Sequence, residues 1–260
     1  MCLESRSDSG VAYVTLSRPD VRNAFNAELI ARLRQTFESL GADEHVRAIV
    51  LSGAGKTFCG GADINWMRAS LDLSREENVA DAAALSRMLR AIDRAPKLVI
   101  GRVHGAALGG GAGLAAACDV VVASDDTVFG FTETKLGILP AVISPFVLAK
   151  IGLSHARALA LTGERFGARR ALAIGLVHEV VPPADLDAAV ARITSEIASA
   201  GPTAVARTKA LFATVRERPY DDTLDVTAQA IAQQRTSPEG QDGLRAFLEK
   251  RRPGWVGVSR

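Results

Sequence analysis

Residues 104–119 read HGAALGGGAGLAAACD. Three consecutive glycines, Gly109, Gly110 and Gly111, stand directly before an alanine-rich stretch that predicts a helix to about Cys118. Glycine costs about 1 kcal/mol against alanine inside a helix. A triplet at a helix start therefore points to backbone that must be approached without intervening side chains. A helix N-terminus also carries unpaired N–H groups and a partial positive charge, a combination that stabilises developing negative charge. A flexible loop or tight helix packing would use the same glycines, and this segment by itself leaves both readings open.

Outward from the triplet, residues 97–103 (KLVIGRV) and 119–123 (DVVVA) read as flanking strands. Residues 11–17 (VAYVTLS) and 46–52 (VRAIVLS) are two more, the first closed by Pro19. Leu29, Ile30, Leu33, Phe37 and Leu40 recur at helical spacing and Gly41 ends that helix. Ser74 and Glu77 have capping-box spacing, opening a helix to about Arg94 with Pro96 beyond it. Strands alternating with helices predict an α/β fold. Nearly continuous apolar strands predict a sheet covered on both faces. From about residue 185 the pattern becomes helical throughout, over 185–200, 202–218, 222–235 and 238–250. The expected division is a core domain over 1–195 and a helical C-terminal region over 196–260. No low-complexity linker separates them, so the helices should pack on the core or on a neighbouring subunit.

Two other segments carry candidate chemistry. In 57–66 (TFCGGADINW), Gly60 and Gly61 allow a sharp turn and a close approach to a ligand. A plain surface turn into a helix explains them as well. In 128–140 (VFGFTETKLGILP), Glu133 sits among Phe129, Phe131, Leu136, Ile138 and Leu139. A carboxyl in apolar surroundings has a raised pKa, which suits proton transfer near neutral pH. A surface glutamate paired to Lys135 is the alternative.

The 260 residues are 48% hydrophobic and 23% charged, with a formal net charge of +2. That charge is far from the basic footprint of a dedicated nucleic-acid binder. Cys2, Cys59 and Cys118 are odd in number and form no CxxC pair, so neither a disulfide framework nor a zinc site is expected. The simplest setting is a reducing cytoplasm. The N-terminal residues lack a signal-peptide core and no membrane span is expected. His45, His104, His155 and His178 show no ligand spacing, so no metal is expected. No G-x-G-x-x-G turn joins an early strand to a helix, so no nicotinamide cofactor is expected either.

The order of the three segments is more informative than any one of them. FCGGADI, then HGAALGGG with a helix ending in Cys118-Asp119, then FGFTETKLGILP, resembles the crotonase (enoyl-CoA hydratase/isomerase) superfamily. The likeness continues through Ile151-Gly152, Leu161-Thr162-Gly163-Glu164, Gly175-Leu176-Val177 and the closing Ala246-Phe247-Leu248-Glu249-Lys250-Arg251, and so spans the chain. It implies a spiral of β-β-α turns with a helical trimerisation region, and hence a homotrimer or homohexamer. It implies an acyl-CoA thioester as substrate, with no separate cofactor. The thioester carbonyl would meet the backbone N–H groups of Ala62 and Gly110. Arg22, Ala24, Gly60, Asp63, Ile64 and Asn65 would line the CoA.

The chain departs from the family pattern at residue 113. Two-glutamate hydratases carry a glutamate three residues after the middle glycine, whereas here Gly113 stands there and only Glu133 matches. With Asn65-Trp66-Met67 and Pro140-Ala141-Val142-Ile143-Ser144-Pro145, this resembles the bacterial methylglutaconyl-CoA hydratase branch. A glycine at 113 is expected to make room for a substrate's distal carboxylate and to reduce repulsion against it. The leading expectation is a hydratase. A single carboxylate also suits an enoyl-CoA delta isomerase. A non-catalytic acyl-CoA binding protein is the third possibility, disfavoured by the retained Glu133.

Overall fold

The computed structural model describes residues 2–256. The chain opens with a hairpin of β1 (Leu3–Asp8) and β2 (Val11–Leu16), followed by α1 (Ala27–Ala42) and β3 (Ala48–Gly53). Next come α2 (Ile64–Ser70), α3 (Arg75–Asp93), β4 (Leu98–Val103), β5 (Ala106–Leu108), α4 (Gly110–Ala117) and β6 (Val120–Ser124). The middle holds β7 (Val128–Gly130), α5 (Ser144–Thr162), β8 (Arg165–Gly167), α6 (Ala168–Ala173) and β9 (Glu179–Val181). Four helices finish it: α7 (Leu186–Ser199), α8 (Pro202–Arg216), α9 (Leu224–Thr236) and α10 (Pro238–Leu248).

The main sheet runs β1-β2-β3-β4-β6-β9, and every pair after the hairpin is parallel. Parallel strands are covered on both faces, which is why VVVA and AIVL are apolar at successive positions. One face meets α1, α3 and α4 through Leu33, Phe37, Met88, Leu89 and Leu114. The other meets α7 through Leu186, Ala189 and Val190. The capping box at Ser74 and Glu77 forms as its spacing predicts, opening α3.

A smaller sheet, β5-β7-β8, places the candidate site. β5 and β7 are parallel with Leu108 opposite Gly130, so α4 and Glu133 leave the same edge. These three-residue strands are too short to show an alternation, and the sequence reading missed them.

The polar N-terminus is a strand: Ser9 (φ 48°) and Gly10 (φ 81°) form the tight turn that folds β1 back on β2. As an edge strand, β1 exposes Glu4 to Asp8, which hides it from a hydrophobicity reading. The boundary drawn at 195/196 falls inside α7, whose early residues belong to the core. The helices that leave the sheet begin at Pro202. Among them α8 and α9 bury no residue and α10 buries only Ala246. A Lys209–Asp119 ion pair at 2.7 Å ties α8 to the turn between α4 and β6.

Candidate active site at the start of α4

Each glycine of the triplet has its own neighbour. A Cβ on Gly110 would fall 2.9 Å from Cε2 of Phe25, and one on Gly111 would fall 2.3 Å from the Cys59 carbonyl oxygen. Gly109 takes φ +52°, and a Cβ there would stand 3.3 Å from Glu133 Oε1. Packing therefore selects glycine at 110 and 111 and the positive φ favours it at 109, where the Glu133 carboxyl lies against the first turn of α4. As the first residue of α4, Gly110 has an amide with no carbonyl in the helix to receive it. Among the described residues no other backbone acceptor takes it.

A second free amide lies beside it. Phe25 and Ala62 form a parallel bridge, in which Phe25 N–H donates to Gly61 O at 2.7 Å and Asp63 N–H donates to Phe25 O at 2.9 Å. That register turns the Ala62 N–H away from Phe25, and no backbone acceptor takes it among the described residues. Gly61, at φ +100°, sets this turn; a side chain there would lie 2.9 Å from Leu108 O and 3.9 Å from Gly110 N. The loop bearing Ala62 and the start of α4 are thus in close contact.

Glu133 opens a short 3-10 turn that Thr134 Oγ1 fastens to α5 by donating to Ala160 O at 2.8 Å. Its Oε2 is buried and, among the described residues, has no hydrogen-bond partner. Burial pushes the carboxyl up from its ordinary value, against a smaller pull from its own backbone N–H. Phe129 and Phe131 are buried, whereas Leu136, Ile138 and Leu139 are 62%, 52% and 76% exposed. The desolvation thus comes from the core side, and the apolar residues after Glu133 face outward.

The segments expected to line CoA also come together. Gly60 N–H donates to Arg22 O at 2.8 Å, Ala24 is buried, and Ile64 and Asn65 are exposed at the start of α2. Asp63 is different, because its side chain is already engaged. It caps Asn65 N–H at 2.8 Å and receives Arg18 Nη2 at 2.7 Å. Desolvation raises the Asp63 pKa, but the bonds from Arg18 and from the Asn65 and Trp66 amides outweigh it and hold the carboxyl below its ordinary value. Asn23 is fully buried at φ 54°, and its side chain donates to Ala54 O and Thr57 O while accepting from Arg18 N–H. Arg18 and Asn23 therefore shape the loop that holds Ala62. Sequence reasoning passed over Arg18, whose partner lies 45 residues away.

Gly113 is buried in α4, and a Cβ built on it would fall 2.1 Å from Ile143 Cγ2. No vacant room exists there for a substrate carboxylate, because Ile143 already fills it. Among the described residues no group of three or more His, Cys, Asp and Glu is placed to hold a metal ion. No described helix is long and apolar enough to cross a membrane.

Residues 6–258 match the model of the family described as "Enoyl-CoA hydratase/isomerase". The chain belongs to the enoyl-CoA hydratase/isomerase family. An enoyl-CoA hydratase structure from Shewanella pealeana superposes with a TM-score of 0.95 at 39% identity, covering 98% of this chain and 96% of that one. A short-chain-enoyl-CoA hydratase of Clostridium acetobutylicum is 32% identical over 93% of this chain and 92% of its own length. A crotonyl-CoA hydratase of Syntrophomonas wolfei is 32% identical over 98% and 96%. As a member of the enoyl-CoA hydratase/isomerase family, the chain is an enzyme of the hydratase-type lyase class or an isomerase.

Proposed function

We propose that this enzyme adds water to an α,β-unsaturated acyl-CoA, with the Ala62 and Gly110 amides holding the thioester oxygen and Glu133 handling the protons. The observation that carries this reading is the pair of free amides beside a half-buried carboxyl whose Oε2 lacks a partner among the described residues. Two fixed donors aimed where an enolate oxygen develops are worth about 3–4 kcal/mol of barrier each. Glu133 takes a proton from water as the oxygen bonds to the β-carbon, then returns it to the α-carbon. A carboxyl with a raised pKa serves both halves of that cycle. Arg22, Ala24, Gly60, Ile64 and Asn65 are assigned to the CoA. The Asp63 side chain is assigned to holding the loop in shape.

A thioester with a distal carboxylate, such as 3-methylglutaconyl-CoA, is the proposed substrate class. With Ile143 filling the space, the support is electrostatic: an apolar wall replaces an anion. A second reading, the enoyl-CoA delta isomerase, is favoured by that same wall, since a 1,3-proton shift needs one carboxylate and no water. The proposed assembly is a homotrimer or a dimer of trimers. Phe212, Leu224, Ile231, Leu244, Phe247 and Leu248 on α8 to α10 are 49–82% exposed in the single chain. Deleting 223–260 should then leave aggregated or unstable protein, and a well-folded active monomer would refute the assembly.

The test is Glu133→Gln with 2-enoyl, 3-enoyl and 3-methylglutaconyl thioesters, products weighed by mass spectrometry. A gain of one water marks hydration. For the variant, kcat should fall about 10²–10⁴-fold, the usual contribution of a positioned proton carrier, while thioester binding changes little. Near-normal kcat would remove the mechanism.

A further inference from the structure

Gly113 lies one turn along α4 from Gly109 and Gly110, on the same helix face. The Ile143 side chain packs directly on it: the Cβ that residue 113 lacks would fall 2.1 Å from Ile143 Cγ2 and 2.6 Å from its Cβ. Ile143 is 3% exposed and is held at the start of α5, where its carbonyl accepts from the Phe146 and Val147 amides, both at 3.1 Å. Its far side borders a small apolar pocket of about 180 Å³ shared with Phe131, Val147 and Ala160. The hydroxyl at that pocket, Ser144 Oγ, is turned to Ala141 O at 2.7 Å. Gly109, against which the Glu133 carboxyl packs, and Gly113, which Ile143 covers, are thus one helical turn apart on α4.

We propose that Ile143 is the specificity-determining residue that divides this site's reaction between adding water and moving the double bond. The inference rests on the acyl-CoA reading above. In both reactions the amides hold an enolate and Glu133 carries the proton. Addition also needs a water oxygen held at the β-carbon. The water's proton passes to Glu133, its oxygen bonds to the β-carbon and the π pair moves to the thioester oxygen. The proton on Glu133 then closes the enolate at the α-carbon. In the shift, Glu133 removes the α-proton of a 3-enoyl thioester and returns it at the γ-carbon, and no water takes part. A buried water is held by several polar partners. The Ile143 side chain has no polar atom to offer it, so Ile143 restrains addition relative to the shift.

The experiment compares Ile143→Val with Ile143→Thr. Both remove the same methyl group and have nearly the same shape, but threonine adds a hydroxyl to the wall. Each enzyme is given 2-hexenoyl-CoA, and the initial amounts of 3-hydroxyhexanoyl-CoA and 3-hexenoyl-CoA are separated and measured. Their ratio does not depend on how much of the protein is folded. Ile143→Thr should raise the hydrated-to-shifted ratio roughly 3–10-fold over Ile143→Val, the range of one hydrogen bond's net worth. An equal ratio in the two variants overturns the assignment. If the wild-type enzyme forms neither product from 2-hexenoyl or 3-methylglutaconyl thioesters, the acyl-CoA reading itself fails, and this proposal with it.

Discussion

The two free amides sit on unequal supports. Gly110 begins α4, seven of whose eight residues are buried. Ala62 precedes α2, which buries none, and residues 71–80 beyond it are all exposed. One donor is fixed by the core of the protein. The other is fixed by a few polar bonds, chiefly those of Arg18, Asn23 and Asp63. In the proposed site one wall would be held by the core and the other by polar bonds, and damage to the two halves should have different signatures.

The largest expected effect is on the rigid half. Gly111→Ala would drive a Cβ to 2.3 Å from Cys59 O, a backbone atom that cannot rotate away. Overpacking of this kind costs about 1–3 kcal/mol or more, so thermal melting should show a large drop in Tm. Gly113→Glu meets Ile143 in the same way and should also be destabilised, which a paired Ile143→Gly change should relieve. An unaltered Tm for Gly111→Ala would break the claim that packing holds this donor.

The loose half should fail in turnover. Arg18→Met removes the partner of the buried Asp63 carboxylate and frees the loop around Ala62. Misplacing a reacting group by about 1 Å costs on the order of 10²-fold, so kcat/KM should fall by about 10–100-fold. Hydrogen exchange sharpens the contrast: amides of 112–117 should be strongly protected, while those of 66–70 exchange early. Equal protection in α2 and α4 would erase the distinction.

The smallest effect is on the pH dependence of stability. Glu133 holds its proton more tightly when folded, since burial raises its pKa. Its stabilising contribution is therefore full below the unfolded-state pKa and lost as pH rises through the folded one. Glutamine has no such loss, so Glu133→Gln should melt slightly higher than wild type near pH 7, and the gap should shrink as pH falls. A gap that widens toward acid would contradict the raised pKa.

Much of this was readable from the sequence, for physical reasons. The central strands are buried on both faces and so appear as apolar runs such as VVVA. The glycine triplet is legible because a positive φ at 109 and close approaches at 110 and 111 each favour glycine. β1 escaped because an edge strand is polar, and the extent of α2 because a helix without a buried face has no apolar stripe. α5 was not read at all: Pro145 stands in its first turn and Gly152 interrupts it at φ +68°. Contacts distant in sequence were the hardest to see. Gly113 was recognised as a missing carboxylate, yet nothing near it in the sequence announces that Ile143 fills the space. The Arg18–Asp63 pair was hidden for the same reason.

The two proposed donors are main-chain atoms, and this makes them silent to the usual genetic search. Replacing Ala62 by almost any residue alters a side chain and leaves its N–H in place. Only proline deletes the hydrogen, and it does so while constraining φ. A library of point variants would therefore score these positions by how well their side chains fit, and the groups assigned the charge would pass unnoticed. Exchanging the single amide at Ala62 or Gly110 for an ester by chemical synthesis isolates the donor itself.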